Sequence, residues 1–452
     1  MNAMLGFDGV ISRRGMLRLG LIGATGVLLS NRLGWASAPA SQPTVIATKT
    51  RAKSVIQIWL SGGPSHLDTF DPKPEAGRDY CGQFDKPIET NVSGIRICQL
   101  LPLLAKQADK YSLIRSMTHG NNAHETAAYW VQTGREPGNG QVYPGVGAVV
   151  SLFKGYAAGY QGLIPPYIVL TTPQGRFSEA GFLGSKYKPF VTGGDPALRR
   201  FAVEGVVAEG ITDQRQQARR DLLHEVDALD NSLPDDPQLA SWRDSEKQAY
   251  DLILGDGGKV FDLSQEKDAL RTSYGRTAFG QSCLAARRLV ERGVPYVTIN
   301  NDGWDTHKQN FETLRRKLPE LDKALSTLLS DLSDRGILDS TVIWCGGEFG
   351  RTPKVMWEAP WNGGRGHWGQ CFSMLVAGGG FKGGQVVGES DAKGEQVKSR
   401  PVYPCDLIGS IYELLGIDTD ARLPHPQGLE VYVTPRTSEG VKSGGRLKEI
   451  MS

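Results

Sequence analysis

Short runs of apolar residues recur along the chain, each closed by a glycine-rich or polar turn. The runs at 55–60, 112–114, 167–170, 294–299, 341–345 and 372–377 are mostly apolar at successive rather than alternate positions. Strands of that kind are buried on both faces, as in a parallel sheet. Helical periodicity precedes several of them. From 319 to 332, apolar residues fall at Leu321, Leu325, Leu328, Leu329 and Leu332, one helix face that ends near Asp334-Arg335-Gly336, just before the run at 341. Cys283, Ala286, Leu289 and Val290 form a second stripe, closed by Gly293 before the run at 294. Helix-then-strand alternation predicts an α/β protein with a mostly parallel sheet and helices on both faces. The segment 195–282 differs: 213–229 is polar and helix-prone, 230–237 is a break, and 242–254 is helical again. It reads as a helical insertion within one domain spanning 54–452.

The N-terminus has its own pattern. Ser12-Arg13-Arg14-Gly15-Met16-Leu17 leads into a Gly- and Leu-rich apolar run to Leu29, and Trp35-Ala36-Ser37-Ala38 supplies small residues for cleavage. Paired arginines, a modest apolar core and an A-x-A site predict a twin-arginine export signal over 1–38. The run is too short and too rich in glycine for a membrane anchor. Residues 39–53 read as an exposed tether. The protein is thus expected to meet the twin-arginine export machinery, to lie in the periplasm or be otherwise exported, and to have no membrane association after cleavage.

Composition narrows the function classes. With 51 Lys+Arg against 49 Asp+Glu the net charge is +2, and residues 1–38 alone carry +3, leaving about −1 for the remainder. No excess of positive charge points to nucleic acid. The 56 glycines in 452 residues follow no three-residue period, which fits a loop-rich α/β protein and excludes collagen. The six cysteines are scattered with no C-x-x-C, so no particular disulfide is predicted, and Cys345 at the end of an apolar run reads as a buried small residue. There is no P-loop, dinucleotide fingerprint or internal repeat.

In open α/β sheets, ligands sit beyond the carboxyl ends of the strands. Five of the seven histidines, His66, His119, His124, His307 and His367, fall in or near the segments that follow predicted strands. Imidazoles and carboxylates meeting from separate loops are what a divalent metal requires. Asp302 and His307 are the sharpest pair. Asp68 and Asp71 read as turn caps, with a metal role as the alternative for Asp68, and His66 is either a ligand or simply exposed. Glu348, expected to be buried, needs a metal or Arg351 as partner, and Arg351 either clamps an oxyanion or forms a salt bridge to Glu348. His119 reads as structural, and His224 and His425 as surface residues. Trp304, Trp368 and Tyr129 either line a pocket or pack.

Taken together, the export signal, L-S-G-G-P-S-H-L-D-T-F-D at 60–71, D-G-W-D-T-H at 302–307, G-G-E-F-G-R-T-P at 346–353 and G-R-G-H-W-G at 364–369 resemble a family of exported bacterial proteins. It is a domain-of-unknown-function family placed alongside sulfatases and alkaline phosphatases. Pro404-Cys405-Asp406-Leu407 with Leu414-Leu415-Gly416-Ile417 is similar to the closing helix of sulfatases. The resemblance implies an alkaline-phosphatase-like fold. In the active relatives two divalent metals flank a Ser, Thr or modified Cys nucleophile. Here Ser61 stands where the first strand of the relatives ends in a metal-binding Asp, and His124 stands at their nucleophile position. Phe349 replaces the imidazole of their Asp-His-Gly.

Two functions are expected from this. The first is a periplasmic metal-dependent hydrolase of phosphate or sulfate esters, with a small or polymeric anionic substrate. Asp302, His307 and His367 would hold one divalent metal (Zn, Mn or Ca), with Glu348 and Asp68 or His66 helping at a second position. Water activated by the metal would attack, His124 would act as general acid or ligand, and Arg351 would bind the oxyanion. The alternative is a non-catalytic exported protein that keeps the fold and binds a ligand or partner.

Overall fold

The computed structural model describes residues 51–138, 140–173, 179–198 and 257–452, with Phe201, Val203 and six positions between 214 and 222. The predicted export signal, the tether up to residue 50, His224 and most of the predicted insertion lie outside the described residues. Among the described residues an eight-stranded sheet forms the centre. Its strands are β1 (Ser54–Leu60), β2 (Tyr111–Met117), β3 (Tyr167–Leu170), β4 (Phe190–Val191), β5 (Tyr296–Asn301), β6 (Thr341–Gly346), β7 (Phe372–Ala377) and β8 (Val386–Val387). Their spatial order is β8-β2-β7-β6-β1-β5-β3-β4. Every neighbouring pair is parallel except those made by β7, which runs antiparallel to both β6 and β2.

Alternation along β1 separates two cores. Ile56, Ile58 and Leu60 pack with Leu284 and Leu289 of α3 (Ala278–Glu291) and with Leu321 and Leu325 of α4 (Asn310–Asp334). Val55 and Trp59 face the other way, toward Val149 and Val150 of α2 (Val146–Lys154) and Leu407 and Ile411 of α5 (Pro404–Leu414). Each such aliphatic side chain, fully buried, contributes about 1.5–3 kcal/mol. Gln57 is the polar exception on that second face, and its bonds are made: its Nε2 donates to Gln132 Oε1 (3.1 Å), and its Oε1 accepts from Tyr296 and Thr298 (3.1 and 3.0 Å). Since Gln132 lies on α1 (His124–Thr133), this bond ties that helix, and with it His124, to β1.

Three elements differ from the pattern in the sequence. Strand β2 extends past residue 114 because Arg115, which interrupts the apolar run, is held by the carbonyls of Phe70 (2.8 Å) and Arg96 (2.6 Å). Strand β5 begins only after Pro295, which lacks an amide donor but offers its carbonyl to Val55, and it runs on through Asn300 and Asn301. Helix α4 starts at Asn310, not near Pro319, which lies in its interior. An interior proline costs about 3 kcal/mol, but the stripe Phe311, Leu314, Leu318, Leu321 stays buried on both sides of it and offsets that cost. All six cysteines are free and buried. No helix among the described residues is long and apolar enough to cross a membrane.

Candidate metal centre

The carboxyl ends of β1, β2, β5 and β6 lie along one rim of the sheet. Because β7 runs the other way, the residues that precede it reach the same rim. The turn after β1 is the floor of the site. Gly62 has φ +110°, and a Cβ there would stand 2.4 Å from the backbone nitrogen of Asp305, so the loops after β1 and β5 approach as closely as only glycine permits. The Gly62 amide donates to both carboxylate oxygens of Glu348, at 2.9 and 3.2 Å. That satisfies part of the demand of a buried carboxylate just beyond β6.

The other partner of Glu348 is His124, in the first turn of α1. His124 Nδ1 donates to Glu348 Oε1 at 2.7 Å, which turns the Nε2 lone pair outward, 3.4 Å from Asp305 Oδ2. His367 is fixed in the same manner: its Nδ1 donates to the carbonyl of Asn122 at 2.8 Å, and its Nε2 lies 3.2 Å from Asp305 Oδ1. His307 Nε2 is 2.8 Å from His367 Nε2 and 3.2 Å from Asp305 Oδ1. Ligand atoms of His124, Asp305 and His367 all lie within 4.8 Å of one another, and His307 adjoins them. Imidazoles whose far nitrogen is held by a carboxylate or carbonyl are the usual arrangement around a bound cation, because the acceptor fixes the tautomer. The donor set of nitrogens and one carboxylate suits zinc or a similar transition metal better than calcium, which prefers oxygen alone.

The charges around the group follow from its contacts. Burial works against ionisation of Asp305, but the hydrogen bond and charge of Arg351, helped by His307 and His124, outweigh it and hold its carboxyl below the ordinary value. The Glu348 hydrogen bond raises the pKa of His124, partly opposed by burial. Burial, opposed by Asp305, lowers that of His307. The Asp305 side chain is 43% exposed, so the convergent group faces solvent.

Among the expected residues, His124, His307 and His367 meet here, with Glu348 immediately behind. Asp302 does not join them: it is exposed, and Asp305, three residues on, supplies the carboxylate. Arg351 pairs with Asp305 rather than with Glu348, and it donates to the carbonyls of Gly62 and Gly63. It is fully buried with these donors taken, so it orients Asp305 instead of standing free for an oxyanion. Asp68 is buried in a two-pronged pair with Arg365 (2.7 and 2.9 Å) and also accepts from Asn310. Asp71 is buried beside Lys73 and Arg115, at 3.1 and 3.5 Å. His66 is buried, not exposed, with Nε2 on the Gly394 carbonyl (2.8 Å). His119 is buried, accepts the Asn121 amide at Nδ1 and donates from Nε2 to the Glu348 carbonyl, a supporting position. Trp304 packs fully buried, the Tyr129 hydroxyl accepts the Tyr143 amide, and the half-buried Trp368 donates to the Glu395 carbonyl. His425 is half-buried against Phe182 rather than free at the surface. Asp305, Asn122 and Arg365 were not among the expected residues. D-G-W-D-T-H carries two aspartates, and only the folded loop distinguishes them.

No curated protein matches this chain in sequence. Its fold aligns with the PsFucS1 sulfatase from Pseudoalteromonas sp. at 13% identity, covering 96% of this chain and 77% of that one, with a TM-score of 0.38. It also aligns with the lipoteichoic acid synthase LtaP from Listeria monocytogenes (9% identity, 85% and 75% covered, TM-score 0.38). A third alignment is with the alkaline phosphatase of the Antarctic bacterium TAB5 (11% identity, 80% and 98% covered, TM-score 0.32). In sequence, residues 52–443 match one family profile, so the chain belongs to the DUF1501 family of proteins of unknown function.

Proposed function

We propose that this protein is an exported metal-dependent hydrolase of phosphate or sulfate esters. One observation carries the reading: three imidazoles and the Asp305 carboxylate, brought from three separate segments, turn ligand atoms toward one another at a solvent-facing point of the rim. His124, Asp305, His307 and His367 would hold the cation. When bound, it supplies Lewis-acid polarisation of an ester oxygen and lowers the pKa of water.

The chain's own residues then have separate tasks. Asp305 stays ionised because Arg351 is beside it. Glu348 and Asn122 hold His124 and His367 with Nε2 outward. Glu348 is itself kept by the Gly62 amide, so the loops after β1, β2 and β6 set one another's geometry. The arginine pair and apolar run at 13–29 support twin-arginine export. Six buried, unpaired thiols fit a chain that folds in a reducing compartment first.

The test is metal content of the protein folded before export, followed by assays with aryl phosphates and aryl sulfates. Stoichiometric zinc or manganese and turnover lost in His367→Ala are expected; absence of bound metal would overturn the reading. A second reading, a non-catalytic binding protein, is favoured by His124 occupying the place where the active relatives have a nucleophile. Metal-dependent turnover abolished by His367→Ala would exclude it.

A further inference from the structure

A cavity of about 850 Å³ lies against the loop that follows β2, with His119 and Asn121 in its wall. The same loop serves the metal centre, since His119 bonds the Glu348 carbonyl and Asn122 holds His367. The two sites therefore share a wall, and none of the four converging ligand residues lines the cavity. Its size is that of an ordinary small-molecule site.

The lining indicates what would bind. Trp130, Tyr143 and Tyr403 contribute aromatic rings, and Thr118, Asn121 and Gln370 contribute hydroxyl and amide groups that both donate and accept. Two of the rings are already fixed: His119 stacks on Trp130 at 5.5 Å, and the Arg135 guanidinium lies 4.6 Å over Tyr143. Fixed rings reduce the ordering cost of binding. Charge in the wall is balanced. Arg135 is spent on Glu439 and the Tyr432 carbonyl, and the exposed Lys442 and Glu136 carry opposite charges. An anion would find no net positive charge there, and a wholly apolar guest would strand the amides. A pyranose chain satisfies both demands, with C–H faces against the rings and hydroxyls against the amides.

We infer that this cavity binds a neutral glycan segment beside the metal centre. The inference goes beyond the hydrolase reading, because a protein without turnover would use the cavity in the same way.

The test titrates the whole folded protein calorimetrically with maltotetraose, cellotetraose and N-acetylchitotetraose, and with a sulfated dextran oligosaccharide as anionic control. At least one neutral tetrasaccharide should bind, and Trp130→Ala should weaken it at least about tenfold with metal content unchanged. Gln370→Ala, on a half-buried side chain, gives the same reading should Trp130→Ala fail to fold. His367→Ala should lose the metal and keep glycan binding, so failure of the metal reading leaves this one separately measurable. No binding of any neutral tetrasaccharide at millimolar concentration, tighter binding of the sulfated control, or affinity unchanged in both cavity variants would overturn the inference.

Discussion

His124 and Glu348 are joined by an imidazole Nδ1–H donated to a carboxylate oxygen across 2.7 Å, between residues 224 positions apart in sequence. The bond decides which nitrogen of His124 faces Asp305. Glu348→Gln keeps an oxygen for the Gly62 amide but removes the charge that fixes the imidazole. Metal affinity should fall about 10–100-fold, the usual effect of losing such a partner. The His124 pKa in metal-free protein should move down, read by histidine NMR. Unchanged values of both would mean that Glu348 is only a structural carboxylate.

Asp305→Ala and His367→Ala should each abolish stoichiometric metal, measured by elemental analysis, with the fold retained by circular dichroism. Asp302→Ala is the control. Its side chain is exposed and outside the convergent group, so its metal content should match that of the parent. The reverse ranking would move the centre to Asp302.

Asp68 and Arg365 are both fully buried and bonded through two contacts. Arg365→Met leaves a carboxylate without its cation and should destabilise the protein by about 3–5 kcal/mol. Asp68→Asn should also lower the denaturation midpoint while metal still binds to the folded protein. If Asp68→Asn instead removed metal at unchanged stability, the carboxylate would be a ligand after all.

Burial pushes the pKa of His119 down to about 4, opposed by its hydrogen bond to the Glu348 carbonyl. In the unfolded chain it titrates near 6.5. Between those values the unfolded state binds the extra proton, so stability rises with pH. The contribution is fully present above 6.5 and is lost as pH falls toward 4, a change of about 3 kcal/mol. His119→Gln should flatten this part of the stability-against-pH curve in denaturant melts. An unaltered slope would show that other groups carry it.

Strands β1, β3, β6 and β7 were legible because each is a short, nearly uninterrupted apolar run, which is how a strand buried on both faces must read. The extension of β2 through Arg115 was not, since the guanidinium is held by two carbonyls and the Asp71 carboxylate, all from other segments. Pro319 hid the first third of α4, because local propensity stops a helix that the buried stripe on both sides of it sustains.

That imidazoles and acids would meet was likewise legible in the chain, because residues just past the ends of parallel strands share one rim. Which of them gather was decided in three dimensions. His367 reaches the centre because β7 runs antiparallel, a direction that its composition does not reveal. Asp305 displaces Asp302 because the loop after β5 folds over Gly62, and Asp68 is withdrawn because Arg365 lies within bonding distance. Sequence alone determined which groups need partners, since burial of a charge or an imidazole demands one. Only the tertiary structure determined which partner each received, since that depends on distances between segments hundreds of residues apart.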